Sequence, residues 1–471
     1  MQRRCRRVAY RECKQARRPG YPVVIGFDNI EHASLTDVGF RRSHNQDNHA
    51  ILLAGEEEQW RSQGHLFLVA DGMGAHAVGE KASELAAGII PHAYHKQAGQ
   101  TNAASALRRA FIEANSSIHD RGQKNREFEG MGTTTTALLL RPEGVWIAHV
   151  GDSRAYRIRN QEIEQLSFDH SLVWEYARRQ RVDPDKVEGI PSNVIVRSLG
   201  PEPLVQVDIE GPHPYREGDV YVLCSDGLSG QVTDHELGAV ASVLPPAEAC
   251  RFLVDLANLR GGPDNITVVI MRIGTSSGTS PKRARGGPRR PLHRLIPWPL
   301  ASLFVGTLLA GGATALTYAQ LPGGVPTFVL AALAILAGLV GLGVQYTHEK
   351  RKAEEEEERP RLRIYSHSPC GIERGLLDKL ARAAAAMNQH ACDKQWDADF
   401  ALYEQHRALA EEFLAKGDLV GAFRENCRSM RPLTEALQRQ RNKEEVFQPL
   451  WDKPEPSADG ADLNGKNKRA L

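Results

Sequence analysis

Three aspartates stand where an apolar run meets a turn. Asp71 follows the apolar start of HLFLVADGMGAHAVGEKAS, Asp226 ends DVYVLCSD just ahead of Gly227, and Asp264 precedes the apolar run in GGPDNITVVIMRI. Each alone reads as a turn residue or a helix cap. Placed together at the tips of adjacent strands, the carboxylates would repel strongly in a site of reduced dielectric unless cations neutralised them. Oxygen-only donors suit magnesium or manganese and do not suit zinc or copper, so the chemistry indicated is that of a hard divalent metal.

The glycines after Asp71 first suggest a nucleotide loop, and both standard templates fail. A GxGxxG fingerprint counted from Gly72 puts Ala77 at its third glycine. The glycine spacing of a P-loop is present from Gly74 to Gly79. Glu80 then stands where the phosphate-binding lysine is required, setting a negative charge against a triphosphate.

The elements that must hold these residues fall within a longer, segmented chain. At 471 residues it exceeds one ordinary core, and a net charge of +1 argues against a general nucleic-acid binder. Seven scattered cysteines without a CxxC pair read as reduced, ordinary thiols. Two uncharged apolar segments, about 295–318 and 325–346, are separated only by QLPGG and read as a transmembrane helical hairpin. Basic flanks, PKRARGGPRRPLHR before and HEKRK after, place both long flanks in the cytoplasm by the positive-inside rule.

The expected domains follow from these punctuation marks: a basic arm at 1–32, a β-rich domain at 33–275, a basic linker at 276–294 and the hairpin at 295–346. A charged helix extension and linker at 347–370, a helical interaction domain at 371–448 and a disordered tail at 449–471 complete the chain. Pro360 is expected to end the second membrane helix, Asp418 to cap a later helix and Pro432 to begin another. LAKGDLVGAFRENCRSM resembles one tetratricopeptide unit, but a single copy supports only a small helical domain.

The segment from about 34 to 273 resembles the metal-dependent PPM, or PP2C-type, serine/threonine protein phosphatases in their bacterial form. TDVGFRRSHNQD, VADGMGAHAVGEKAS, GMGTTTTALLL, VGDSRAYRI, LSFDHSLV, VIVRSLG, VLCSDGL and GGPDNITVV stand in the family's order. The resemblance implies an α+β fold, an α-β-β-α sandwich of two antiparallel sheets flanked by helices, followed here by two transmembrane helices and a small all-α domain. It implies two Mn2+ or Mg2+ ions with a place for a third. Asp71 would be shared by both ions, with the Gly72 carbonyl on the second; Asp226 and Asp264 would hold the first, Asp47 would support the second, and Asp152 would help hold the third. Arg42 matches the arginine that grips the substrate phosphate, for which a guanidinium fork has the right geometry.

Paired cations would offset the repulsion between a phosphate monoester and an attacking hydroxide, and no protein nucleophile is then needed. Gln46 stands where some relatives have a glutamate, which leaves the inner shell with less negative charge, and Ala75 replaces a usual glycine. Met73 stands where animal relatives carry a histidine proposed as general acid, so the proton donor is unassigned: His76 is a candidate, a metal-bound water the alternative. His170 reads as structural, and the threonines after Gly132 as strand formers. The segment 171–194 corresponds to the family's flap beside the active site. The expected partners are phosphorylated proteins, a cognate serine/threonine kinase, the membrane and an unidentified partner of the C-terminal helices. A non-catalytic scaffold that binds phosphoproteins at the membrane is the competing reading, and a hydrolase of small phosphate esters is a third.

Overall fold

The computed structural model describes residues 28–74, 78–187, 189–191, 193–274, 298–320, 324–357 and 365–446. Twelve strands and twelve α-helices lie among them. The strands are β1 (Ile30–Asp37), β2 (Asp47–Leu52), β3 (His65–Met73), β4 (Gly132–Thr133), β5 (Thr135–Arg141), β6 (Gly144–Val150), β7 (Arg154–Arg159), β8 (Glu162–Gln165), β9 (Asp208–His213), β10 (Val220–Cys224), β11 (Ile266–Ile273) and β12 (Ser366–Pro369). The helices are α1 (Glu57–Ser62), α2 (Val78–Gln97), α3 (Ala103–Lys124), α4 (Leu172–Gln180), α5 (Asp226–Ser229), α6 (Asp234–Val243), α7 (Pro246–Leu259), α8 (Trp298–Tyr318), α9 (Gly324–Glu357), α10 (Arg374–Asp393), α11 (Phe400–Ala415) and α12 (Leu419–Val446).

Two antiparallel sheets face each other. One runs β1-β11-β10-β7-β8-β12, the other β2-β3-β5-β6-β9 with β4 paired to β3. Because successive side chains of a strand face opposite ways and both faces of β3 are covered, its run Leu66–Ala70 is apolar on each. Leu66, Leu68 and Ala70 point to α2 and α3, whereas Phe67 and Val69 point into the space between the sheets. In β11 the alternation is repeated, with Val268 and Ile270 toward the outer helices and Val269 and Met271 toward the middle. Each fully buried Leu, Val or Phe contributes about 1.5–3 kcal/mol. The central strands therefore hold their tips in fixed register.

Helices α8 and α9 pack as a hairpin because glycines permit close approach. A Cβ at Gly306 would lie 2.6 Å from Ile335 Cγ1, and one at Gly338 would lie 2.6 Å from Leu303 Cγ. Their outward faces carry exposed Phe304, Leu308, Val329, Leu333, Leu336 and Val340. Of the described residues, only Val325–Gly343 forms a stretch both long and apolar enough to span a bilayer; the apolar stretch Ser302–Tyr318 is shorter. The sequence reading of two equivalent spans is therefore met in full by one helix. Helix α9 runs on to Glu357, and Pro360 lies outside the described residues.

The segment after the hairpin departs most from expectation. Within the linker expected at 347–370, residues 366–369 form β12, an edge strand antiparallel to β8 with Ser366 opposite Gln165 and Pro369 opposite Glu162. Pro at the end of an edge strand is tolerated because no ladder donor is needed there. Helices α10 and α12 pack over α6 and α7, and Phe423, Cys427, Met430 and Leu433 join Val240, Ala249, Leu253 and Val254 in one core. Around it, Arg428 Nε donates to Glu248 Oε2 at 2.9 Å and Thr434 Oγ1 donates to Asp255 Oδ2 at 2.8 Å.

Pro432 does not begin a helix; it lies inside α12. An interior proline costs about 3 kcal/mol. Burial of Met430, Leu433 and Ala436 on either side of it offsets that cost. Asp418 does cap α12, its Oδ1 accepting from Gly421 N at 2.9 Å.

Candidate active site

Both sheets deliver carboxylates to the same end. Asp47 begins β2 and lies directly opposite Asp71 of β3. Asp226 begins α5 immediately after β10, and Asp264 precedes β11, the neighbour of β10. Asp152 lies in the turn by which the chain leaves β6 in one sheet and enters β7 in the other. A crossing hydrogen bond fixes the spacing: Ser225 Oγ donates to Asp47 Oδ2 at 2.7 Å, while Ser225 Oγ accepts from Thr267 N at 2.9 Å.

The backbone around these groups leaves no room for side chains. A Cβ at Gly72 would lie 2.1 Å from the Gly79 carbonyl oxygen, so the end of β3 and the start of α2 touch main chain to main chain. Gly39, at φ +77°, sits against the Asp264 carbonyl in the same way, and its loop is tied down by Asn265. Asn265 Nδ2 donates to the Val38 and His44 carbonyls, both at 2.9 Å, and its Oδ1 accepts from Gln46 N at 2.8 Å. That loop carries Arg42, whose guanidinium donates to Asp264 Oδ2 at 2.8 Å.

Burial, and after it like charge, disfavours ionisation of Asp47, Asp71, Asp152 and Asp226. Burial, followed by the charges of Asp47, Asp226 and Asp152, raises the Asp71 carboxyl well above the usual range. Asp47 is pushed up to about 7, chiefly by burial, against the opposing hydrogen bonds of Ser225 and Thr267. Asp152 is also pushed up to about 7, by burial and then by Asp226 and Asp169. Asp226 is raised by burial and by Asp264.

Three carboxylate oxygens, Asp47 Oδ1, Asp152 Oδ1 and Asp226 Oδ1, are buried without a hydrogen-bond partner. Buried polar atoms are rarely left so, and three acceptors of this type together fit divalent cations. The arrangement is looser than a closed cage. No three His, Cys, Asp or Glu side chains among the described residues surround a single point, and Asp264 is engaged by Arg42. Sequence reading gave these two residues separate partners; an arginine and a carboxylate within reach of one another pair.

The protein phosphatase 2C family profile matches residues 32–178. The serine/threonine phosphatase stp of Listeria monocytogenes is 34% identical over 246 residues, which cover 51% of this chain and 95% of that protein. Protein phosphatase PhpP of Streptococcus pneumoniae is 36% identical over 248 residues, 51% of this chain and 97% of that protein. This chain belongs to the protein phosphatase 2C family. Its domain of two antiparallel sheets with flanking helices is a serine/threonine phosphatase domain. Among solved structures, the Mycobacterium tuberculosis phosphatase PstP/Ppp matches with 32% identity and a TM-score of 0.47, over 52% of this chain and 99% of that one. The catalytic domain of PstP in complex with two manganese ions matches with 31% identity and a TM-score of 0.45, over 52% and 99%.

Within this phosphatase domain the threonines do more than form strands. Thr133 Oγ1 donates to the Asp71 carbonyl at 2.8 Å, Asp71 N donates to Thr134 Oγ1 at 3.2 Å, and Thr134 Oγ1 meets Ser153 Oγ at 2.7 Å. They join the backbone of Asp71 to the turn bearing Asp152. His170 is structural, as expected: its Nδ1 accepts from Gly151 N at 3.0 Å, and its Nε2 bonds Asp208 Oδ2 at 3.1 Å. His76 lies outside the described residues. Sequence reasoning missed Ser225, Asn265, Thr133 and Thr134, although buried polar residues inside apolar strand ends are a usable signal.

Proposed function

We propose that this phosphatase is held at the membrane by its helical hairpin and hydrolyses phosphoserine and phosphothreonine esters of proteins on the cytoplasmic side. The carrying observation is the trio of partnerless buried oxygens on Asp47, Asp152 and Asp226. Asp71 and the Gly72 carbonyl, with Asp226, Asp264 and Asp47, would hold two manganese or magnesium ions, and Asp152 would help hold a third. Such ions supply a nucleophilic water at neutral pH and neutralise charge on the phosphate.

The chain's own residues bind and orient. Arg42, half-exposed at the rim, offers its fork to the phosphate and stands close enough to Asp264 to exchange one anion for another. Ser225 and the threonine pair hold the carboxylates in register. His170 is fully buried and engaged on both ring nitrogens, so it is unsuited to donate a proton to the leaving oxygen.

Membrane attachment by two spans is supported by the fold of the flanks. Residues on both sides of the hairpin share one sheet and one core, which requires them to lie on the same side of any bilayer. An even number of crossings satisfies this; a single crossing by α9 does not. Exposed apolar side chains on α8 as well as α9 fit lipid on both. A kinase acting on the same proteins is the expected counterpart, with the C-terminal helices as a docking module.

The test is phosphate release from a phosphothreonine peptide by the full chain in detergent, with manganese and with chelator. Metal-dependent release that disappears in Asp71→Ala is expected. Turnover that persists with chelator, or that survives the substitution, overturns the proposal.

A further inference from the structure

The segment between His170 and Arg197 leaves the sandwich beside the carboxylate cluster. It is pinned at its base, where Gly151 N donates to His170 Nδ1, Leu172 N to the Val194 carbonyl and Val196 N to the His170 carbonyl. Helix α4 within it packs on Phe168 and on Arg154, whose guanidinium lies 5.7 Å from the Trp174 ring centre. The Trp174 ring meets Phe168 edge-on at 5.4 Å and 87°, and the Arg178 guanidinium lies 5.2 Å above the same ring.

A third neighbour of Phe168 comes from beyond the membrane hairpin. The Tyr365 ring approaches it edge-on at 5.5 Å and 61°. Tyr365 N donates to the Gln165 carbonyl at 3.0 Å and Cys370 N to the Gln161 carbonyl at 2.8 Å, so β12 is fastened at both ends. The Tyr365 hydroxyl donates to Glu210 of β9. Two residues earlier in β9, Asp208 receives Arg197 at 2.9 Å and His170 at 3.1 Å. Tyr365 thus touches Phe168, against which α4 rests, and Glu210, two residues along β9 from the aspartate that holds both ends of the flap, and α9 ends only eight residues before it.

We propose that Tyr365 is a positioning residue that braces the flap for protein substrates, so that the chain following the membrane hairpin completes the substrate-facing side of the phosphatase domain. The proposal rests on the phosphatase reading above and adds a residue outside the segment shared with the relatives. Loss of one aromatic edge and one hydrogen bond to a carboxylate corresponds to about tenfold or more in the opening equilibrium of the flap. A phosphoprotein, which must contact the flap, feels that change. A small aryl phosphate, held only by Arg42 and the carboxylate end, does not.

The test compares the full chain in detergent with Tyr365→Ala and Tyr365→Phe by two readouts. Tryptic cleavage after Arg179 and Arg181, followed by mass spectrometry, reports flap opening without needing activity. The expected result is cleavage about tenfold faster in Tyr365→Ala, with Tyr365→Phe between it and the parent, since the ring remains but the bond to Glu210 is lost. Kinetics should show KM for a phosphothreonine peptide rising about fivefold or more in Tyr365→Ala, with kcat/KM for para-nitrophenyl phosphate within about twofold.

Unchanged cleavage and unchanged peptide KM overturn the brace. An equal loss on both substrates with a lowered unfolding midpoint also overturns it, since that is the behaviour of a purely structural residue. If Tyr365→Ala does not fold, Tyr365→Leu is judged by the same outcomes. A parent chain inactive on both substrates refutes the phosphatase reading instead, and the tryptic comparison still decides the brace.

Discussion

Gly238 is where the docking of the C-terminal segment can be tested by a change of sign. It lies inside α6, where replacing glycine by alanine normally stabilises by about 1 kcal/mol. Here an added Cβ would stand 2.5 Å from Cys370 Cβ, 2.8 Å from Cys370 Sγ and 3.2 Å from Ile163 Cβ. Carbon atoms prefer about 3.5–4.0 Å, so the main chain at Cys370 would have to retreat by about 1 Å. Overpacking of this kind costs about 1–3 kcal/mol, and three simultaneous contacts put it near the upper end. After the helix gain, Gly238→Ala should destabilise the full chain by about 2 kcal/mol. In a Cys370→Gly background the two shortest contacts vanish, and the same substitution should become neutral or stabilising by up to about 1 kcal/mol. Urea unfolding of the four chains of this cycle, in one detergent, measures the coupling. Equal effects of Gly238→Ala in both backgrounds would refute the placement of Cys370 against α6.

Asp255 gives docking a pH dependence: burial pushes its carboxyl up to about 6 from 3.8, only partly opposed by its bond from Thr434. The folded state then binds more protons between about pH 4 and 6, so stability falls as pH rises through that window and levels off above it. Asp255→Asn should flatten this slope in unfolding midpoints measured from pH 4 to 7, and an unaltered slope would exclude Asp255 as its source. Arg42→Ala removes a charge-assisted contact of about 1.5–3 kcal/mol, so KM for a phosphopeptide should rise roughly ten- to 150-fold, and an unchanged KM removes Arg42 from phosphate binding. For topology, Gln320→Cys should react with a membrane-impermeant maleimide on intact cells, whereas exposed Cys392 should react only after lysis; labelling of Cys392 on intact cells would exclude the two-span reading.

The carboxylate end was legible because its signal is local. Asp71, Asp226 and Asp264 each follow or precede an unmistakable apolar strand run, and the motif order carried the antiparallel sandwich with them. What escaped the sequence was non-local. Strand β12 is four residues including a proline, and it pairs with β8 about 200 positions earlier, a contact that no propensity or period encodes. The three- and four-residue spacing of Phe423, Met430 and Leu433 announced a buried face on α12, but nothing in that spacing names α7 as the surface covering it. Pro432 was misread for a related reason: local stop signals are overridden when the flanking turns are packed. The hydroxyls of Thr133 and Thr134 looked like strand formers because their partners, the main chain of Asp71 and the side chain of Ser153, become neighbours only after β3, β5 and β7 assemble.

The late arrival of β12 and α12 also orders events during synthesis. At ~5–20 residues per second, the roughly 170 residues from Ile273 to Val446 take on the order of ten to thirty seconds to emerge from the ribosome. Throughout that interval β8 is a bare sheet edge and the apolar face of α7 lacks its cover, which are the features that invite mispairing with other chains. Helices α8 and α9 are made within the same interval, so the apolar hairpin emerges before the phosphatase domain is closed.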